Sequence, residues 1–430
     1  MSSHAPQVLQ AAAIVPIAAD PLEPGWIAIE AGGIVALGAG PPPSDRGPVH
    51  DYGAAVIFPG FVNAHAHLGC SFLAGVADDA GFFEWITGGI QPRVMRALDQ
   101  EQGRIRDCAR AAARELLAGG TTCVAEGFFH DAGAEAGAAA GLRGRFHREF
   151  FGARAPDLDE YLARVRDQIA DDQAQDWSGW EYGLAPHSLY TCPAAVLALL
   201  RDESKARGLP LTLHLDESPE EHLAFRDRRG PLWELLSEGD PTRFRTGLRP
   251  VELIQELGIL ETSPVLVHLV QIEPADVAIL ADSQAGVVHC PSSNLRLAVG
   301  TAPVLDLIEA GVAVALGTDS LASTGRLDMF EEMRLFLLGQ RGRYATTRGL
   351  NTQRALELAT LGGARVLGLD ALIGTLTPGR RADLCVVQLD TRPPRDRLSL
   401  ASQIVWNGRP QDVLATWVDG RCVYERGLGS

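Results

Sequence analysis

The chain has 430 residues, a formal net charge of −16 and 46% apolar residues. That length suits a barrel with one modest partner domain, and the apolar share is enough for a large buried core. The acidic balance disfavours nucleic acid or an anionic membrane surface as the main partner, and no apolar run approaches the ~20 residues of a membrane span.

Residues 7–58 open with short strand-like pieces at 26–29 and 34–37, separated by Pro/Gly turns. Met1 to Pro6 lacks a basic stretch leading into an apolar one, so the expected location is the cytoplasm. A strand-like run at 56–62 follows. From about Gln100 onward, strand-like runs at 121–125, 145–151, 182–185, 211–215, 265–269, 286–289 and 312–316 alternate with longer amphipathic stretches. Helices are predicted over 102–118, 158–170, 194–206, 274–281 and 303–310, several ending at glycine, as at Gly119, Gly208 and Gly311. Strands alternating with helices predict an α/β fold with a parallel sheet, and eight such runs predict closure into a (β/α)8 TIM barrel. Beyond a helix predicted over 352–367, strand character returns at 383–388 and 413–424. The two ends are therefore expected to form one small β-sandwich from residues 1–58 and 371–430, with the barrel over 59–370 between them. The seven cysteines are scattered without a Cys-x-x-Cys pair, which reads as reduced packing residues rather than disulfides or a thiolate zinc site.

Polar residues cluster at the predicted strand ends. His65-Ala66-His67 follows the 56–62 run, and two residues apart on extended backbone both imidazoles face one side. His187 follows 182–185, His214 and His268 close the next two runs, and Asp319 follows 312–316. In a barrel these C-terminal strand ends converge on one pocket. Burying so many polar groups without partners is costly, and together they suit a borderline divalent ion that takes imidazole and carboxylate ligands.

The chain resembles the amidohydrolase superfamily, in the branch that holds cytosine deaminase, guanine deaminase, the methylthioadenosine/S-adenosylhomocysteine deaminases and the chlorotriazine hydrolases. The resemblance is carried by Pro59-Gly60-Phe61-Val62-Asn63-Ala64-His65-Ala66-His67, Gly119-Gly120-Thr121-Thr122 and Ala185-Pro186-His187-Ser188. It continues through His214-Leu215-Asp216-Glu217-Ser218, His289-Cys290-Pro291-Ser292-Ser293-Asn294, Gly317-Thr318-Asp319-Ser320 and Gly374-Thr375-Leu376-Thr377-Pro378-Gly379. It implies His65, His67, His214 and Asp319 as metal ligands, with Glu217 as the acid/base between water and a ring nitrogen. His268 is implied to hydrogen-bond the water or the developing oxyanion, His187 to contact the substrate, and Asp319 to relay a proton to departing ammonia as well as hold the metal. Trp85 and Ser320 are further expected substrate contacts. Binuclear members bridge their metals with a carboxylated lysine at the end of strand four. Here that strand ends at His187, and the sole lysine, Lys205, falls in a helical pattern. One divalent metal per chain is implied, zinc or iron(II), with a small-molecule substrate and a homodimeric assembly.

The substrate is narrowed further by resemblance. Counted from His67, Trp85 and Pro92 keep register with the methylthioadenosine/S-adenosylhomocysteine deaminases, but Val94 stands where those enzymes carry a ribose-binding glutamate. The stretches 214–221, 230–233 and 317–323 look more like the aminodeoxyfutalosine deaminases. Their substrate carries a benzoate, which would want an arginine. Arg226, Arg228, Arg229, Arg243, Arg245 and Arg249 are the candidates between strands five and six, most of them read as surface charge. Deamination of another adenosine derivative or of guanine, removal of halide as in the chlorotriazine hydrolases, and a non-catalytic scaffold remain as alternatives. Among other histidines, His222 reads as solvated, His4, His50 and His147 have no constellation, His289 reads as packing or a loop hydrogen bond, and His130 is open either way.

Overall fold

The fold, given by a computed structural model, is described over residues 5–389 and 398–427. Its centre is a ring of eight parallel strands: β1 (Phe61–Ala66), β2 (Thr121–Phe128), β3 (Arg143–Phe150), β4 (Glu181–Pro186), β5 (Thr212–Leu215), β6 (Val265–His268), β7 (Gly286–His289) and β8 (Ala313–Leu316). Strands β1 to β4 pair in order as one four-stranded sheet and β5 to β8 as another. Parallel bridges Leu184 to Leu211 and Ser188 to His214 join the sheets on one side, and Ala66 to Asp319 joins them on the other. At that second seam Asp319 N–H donates to the His65 carbonyl at 3.0 Å. Thr318 N–H donates to Asn63 Oδ1 at 3.0 Å while Asn63 Nδ2 donates to Thr318 Oγ1 at 2.7 Å. Gly317 permits this approach, since a Cβ there would lie 2.8 Å from the His65 carbonyl oxygen.

Apolar side chains fill the ring from inside, among them Val62, Ala64, Ala125, Val267, Val288 and Ala315. A larger apolar shell lies between the strands and the outer helices, of which Gln102–Ala118 and Pro274–Ala281 span the residues predicted. The predicted helix over 352–367 instead changes pitch, with a widened turn at Leu358–Gly362 between Thr352–Glu357 and Gly363–Val366.

The run at 56–62, expected as the first barrel strand, serves two sheets. Val56–Pro59 pairs antiparallel with Leu384–Val387, and β1 starts only at Phe61. Gly60 marks the crossing, where a Cβ would lie 2.1 Å from Thr122 Cγ2. The terminal segments form a four-stranded and a five-stranded sheet, the second joining Ala13–Ile14 and Val56–Pro59 to Leu384–Val387, Val413–Val418 and Arg421–Glu425. Leu9, Ile27, Ile57, Leu384, Val386 and Trp417 pack in one separate apolar cluster there. No described helix is long and apolar enough to cross a membrane.

Candidate active site

Three imidazoles meet at the C-terminal mouth of the ring. His65 Nε2 and His67 Nε2 are 3.0 Å apart, and His214 Nε2 is 3.1 and 3.2 Å from them. His67 Nδ1 lies 2.5 Å from the Gly127 carbonyl and His214 Nδ1 lies 2.7 Å from the His187 carbonyl. A carbonyl only accepts, so both Nδ1 atoms carry the hydrogen and both Nε2 atoms turn lone pairs toward the same point. Facing lone pairs repel unless a cation lies between them. Nitrogens at about 2.0–2.1 Å from a tetrahedral zinc stand roughly 3.3 Å from one another, close to the observed edges. Burial, reinforced by the neighbouring imidazoles, pushes His65 and His214 well below the ordinary histidine range, which keeps them in the neutral, ligating form.

Asp319 completes the set. Its Oδ1 lies 3.4 Å from His67 Nε2 and 3.8 Å from His65 Nε2. Its Oδ2 accepts from Ser293 Oγ at 2.6 Å and Ser323 Oγ at 2.9 Å, so one oxygen is anchored and the other faces the histidines. Asp319 (φ 60°), His268 (φ 79°) and Asp216 (φ 52°) all adopt left-handed backbone where β8, β6 and β5 end. Such backbone is costly for residues other than glycine and persists only where the surroundings hold it. These residues fit a divalent ion in donor type and spacing.

Glu217 and His268 stand beside this triangle, with Glu217 Oε1 3.6 Å from His268 Nε2. Asn294 Nδ2 lies 3.0 Å from His268 Nδ1; with the amide as donor, the ring hydrogen is on Nε2, facing the site. Burial, then the Asp319 and Glu221 carboxylates, raises Glu217 well above the ordinary carboxylate range, as suits a group that must carry a proton at neutral pH. His187 turns Nδ1 toward Thr191 Oγ1 at 3.0 Å, stacks on Phe151 and is held neutral by burial, which lowers it to about 3. His187, Trp85 and Ser320 all line the pocket above the triangle, and Trp85 Nε1 donates to the Ala322 carbonyl at 3.3 Å.

Several residues of the pocket carry no mark in the sequence analysis. Glu149, at the end of β3, is buried, and its Oε1 has no hydrogen-bond partner and lies 3.7 Å from His67 Nδ1. The strand-end rule that singles out His214 and His268 applies to Glu149 equally and would have found it. Phe82, Ile86, Ile90 and Tyr190 also line the pocket, and no local pattern announces them.

Other expectations are corrected. His222 is buried rather than solvated, because helix Pro219–Asp227 turns it inward, where its Nδ1 lies 3.0 Å from Asp216 Oδ1. None of the six arginines between β5 and β6 lines the pocket. Arg226 pairs with Glu273, Arg229 with Asp227, Arg245 with Glu256 and Arg249 with Asp276, while Arg228 reaches Thr246 and Arg243 the Ala155 carbonyl. Their charge is answered locally. His289 is buried outside the pocket lining, His130 lies next to Asp131 at 3.0 Å, His147 is buried with Nε2 unpartnered, and His4 lies outside the described residues.

Fold and site together define a metal-dependent barrel hydrolase. The chain matches the amidohydrolase family over residues 56–423. A 5-methylthioadenosine/S-adenosylhomocysteine deaminase of Moorella thermoacetica is 34% identical over 426 residues, covering 96% of this chain and 93% of that one. The crystal structure of a zinc-bound adenosine deaminase from Xanthomonas campestris superimposes with a TM-score of 0.83 at 31% identity, covering 97% of this chain and 92% of that one. Escherichia coli guanine deaminase shares the fold with a TM-score of 0.80 at 23% identity, covering 98% and 100%. The chain belongs to the amidohydrolase family and is an enzyme of that family.

Proposed function

We propose that this enzyme hydrolyses a carbon–nitrogen bond of a cyclic amidine, removing the exocyclic amine of an adenine-type ring as ammonia, and that its substrate is 6-amino-6-deoxyfutalosine. The observation that carries the deaminase reading is the triangle of lone-pair-bearing nitrogens with Glu217 and His268 beside it. The ligands would be His65, His67, His214 and Asp319. A divalent ion there supplies Lewis acidity that makes water a nucleophile at neutral pH.

The chain's own groups do the rest. Glu217 takes a proton from the attacking water and delivers it to the ring nitrogen. His268 Nε2–H donates to the oxygen as charge develops on it. Asp319 takes the second proton, from the added hydroxyl, and passes it to the departing amine, so that water and amino compound become carbonyl and ammonia. His187, Trp85 and Ser320 orient the ring. One ion is supported by the position of Lys205, which pairs with Glu261 on the outside of the barrel, far in role from a bridging carbamate. We take zinc over iron(II) by likeness to the zinc-bound structure, and a cytoplasmic homodimer without nucleic-acid or membrane partners by resemblance and acidic charge.

The 6-amino-6-deoxyfutalosine reading is supported by the stretches 214–221, 230–233 and 317–323, and by Val94 in place of a ribose-binding glutamate. A second reading, methylthioadenosine/S-adenosylhomocysteine deamination, is favoured by the identity to the Moorella enzyme. Ammonia release from a panel of adenosine derivatives, guanine, cytosine and aminodeoxyfutalosine separates them, with Glu217→Gln as the blank. Selective release from aminodeoxyfutalosine is the expected result; preference for methylthioadenosine would replace the substrate and keep the chemistry.

A further inference from the structure

Two buried carboxylates stand close to the chain around His67, and the fold treats them differently. Glu126, on β2, accepts from the Leu68 N–H at 2.6 Å and the Gly69 N–H at 2.9 Å, so both its oxygens are spent on the turn that follows His67. Glu149, at the end of β3, receives no hydrogen bond from any described residue. The nearby ring N–H groups are committed elsewhere: His67 Nδ1 to the Gly127 carbonyl at 2.5 Å and His214 Nδ1 to the His187 carbonyl at 2.7 Å. At 3.7 Å from His67 Nδ1, Glu149 Oε1 is beyond hydrogen-bond reach of it. Arg148 does not answer the charge either. Successive strand residues face opposite sides, and Arg148 pairs with Asp172 on the outer helix Leu158–Ala174. A buried carboxylate without a donor is costly, and a ligand that brings a donor relieves that cost.

Glu149 lines the chamber over the histidines. One of its oxygens lies within 4.8 Å of a ring nitrogen of His187, while Glu217, His268 and Asp319 form a separate group equally close among themselves. The bond that breaks must sit at this second group, where the acid/base and the proton relay are. Glu149 and His187 therefore meet another part of the substrate. On a 6-aminopurine substituted at N9, the ring nitrogens N1, N3 and N7 carry no hydrogen, and the exocyclic amine is the only N–H donor. That amine belongs at the reacting group. The donor left for Glu149 is a hydroxyl on the N9 substituent. Phe82, Ile86 and Ile90 make other parts of the chamber wall apolar. A ligand without that hydroxyl leaves the carboxylate unpaired in such surroundings, which is how a polar site rejects an analogue lacking one donor.

We propose that Glu149 is a specificity-determining residue, whose carboxylate accepts a hydrogen bond from one sugar hydroxyl of the substrate and so discriminates against the analogue that lacks it. The inference rests on the deaminase reading and adds the residue that reads the sugar. It also gives the unbraced carboxylate of β3 a role in binding rather than in the proton path.

The test compares turnover of adenosine and of its 2′-, 3′- and 5′-deoxy analogues by wild-type enzyme and Glu149→Met, with metal content measured alongside. In wild-type enzyme one analogue is expected to show a KM raised about 10-fold or more over adenosine. Glu149→Met should raise KM for adenosine by a similar factor and leave that one analogue within about 2-fold, with kcat little altered. Glu149→Gln, which keeps an acceptor without the charge, should fall between. Equal losses on all four nucleosides, or none, would overturn the proposal. So would a fall in metal content, which would show that Glu149 acts through His67. If Glu149→Met fails to fold, the wild-type comparison still decides: no preference for adenosine over any analogue overturns it. Failure of wild-type enzyme to deaminate any of these nucleosides would instead defeat the deaminase reading. Binding of the four followed by tryptophan fluorescence then decides Glu149. The same pattern in Kd upholds its role, and absent or uniform binding overturns it.

Discussion

The floor and the roof of the pocket are built on different principles. The floor consists of strand ends, and four reactive side chains there are buried and braced by a second group: His67 by the Gly127 carbonyl, His214 by the His187 carbonyl, Asp319 by Ser293 and Ser323, His268 by Asn294. The roof, from Phe82 to Arg104, is made of short helical pieces with few such braces, and its Arg93, Arg96 and Arg104 are exposed. Chemistry demands positions held to a fraction of an ångström, while recognition of a variable substituent tolerates a softer wall. The contrast predicts that changes in the reactive groups of the floor act on kcat or on metal content, and changes in the roof act on KM.

The largest effect is expected from Glu217→Gln. It should lower kcat by about 10²–10⁴-fold, the usual worth of a positioned acid/base, while metal content measured by atomic emission stays at the wild-type level. Retained turnover would remove Glu217 from the proton path. Removing the metal with a chelator, or one of its ligands with His67→Ala, should abolish activity and lower Tm, because an ion that binds only the folded chain stabilises it by mass action. A floor that keeps its Tm without metal would be held by its protein braces alone.

Outside the pocket, Arg148 and Asp172 form a buried bidentate pair with both distances 2.7 Å. Asp172→Ala should destabilise the fold by about 3–5 kcal/mol in urea unfolding, because it leaves a buried guanidinium uncompensated. Metal content of the remaining folded protein should not change, which separates general stability from the integrity of the floor.

Trp85→Phe sharpens the contrast from the roof. It removes the bond to the Ala322 carbonyl together with part of the ring that lines the pocket, and should raise KM about 3- to 10-fold with kcat little altered.

The smallest effect concerns His222. Its hydrogen bond to Asp216 raises it above 6.5, against the opposing pull of burial. A folded-state pKa above the unfolded one means that the pair's stabilisation is fully present below about pH 6.5 and fades as pH rises through the raised value. His222→Asn should flatten this part of the stability profile, read as Tm across roughly four pH units around the ordinary histidine range. An unchanged profile would mean the imidazole titrates as it does in the unfolded chain.

Much of the floor is legible in the sequence, for a definite reason. His65, His67, His214, His268 and Asp319 each fall where an apolar run stops, and a barrel brings all such ends to one mouth. The local period of two and the order of the runs were enough to gather them. Glu149 obeys the same rule and went unmarked because a carboxylate beside arginine and histidine at 145–149 reads as ordinary polar sequence. The double role of 56–62 was hidden because apolar alternation does not say which partner strand a residue meets; the close approach of Thr122 to Gly60 decides that.

The sequence by itself determined the element order, the ring of parallel strands and the identity of the residues at the strand ends, because these depend on hydrophobic period and chain order. Only the tertiary structure decided which charges are spent and which are available. In sequence the arginines of 226–249 and those at 93, 96 and 104 look alike. In the fold the first group meets acceptors of its own; of the second, which borders a cavity, Arg104 meets Glu101 and Arg93 the Gly89 carbonyl, while Arg96 has no ion pair among the described residues, since an ion pair depends on distances through space that no local pattern encodes.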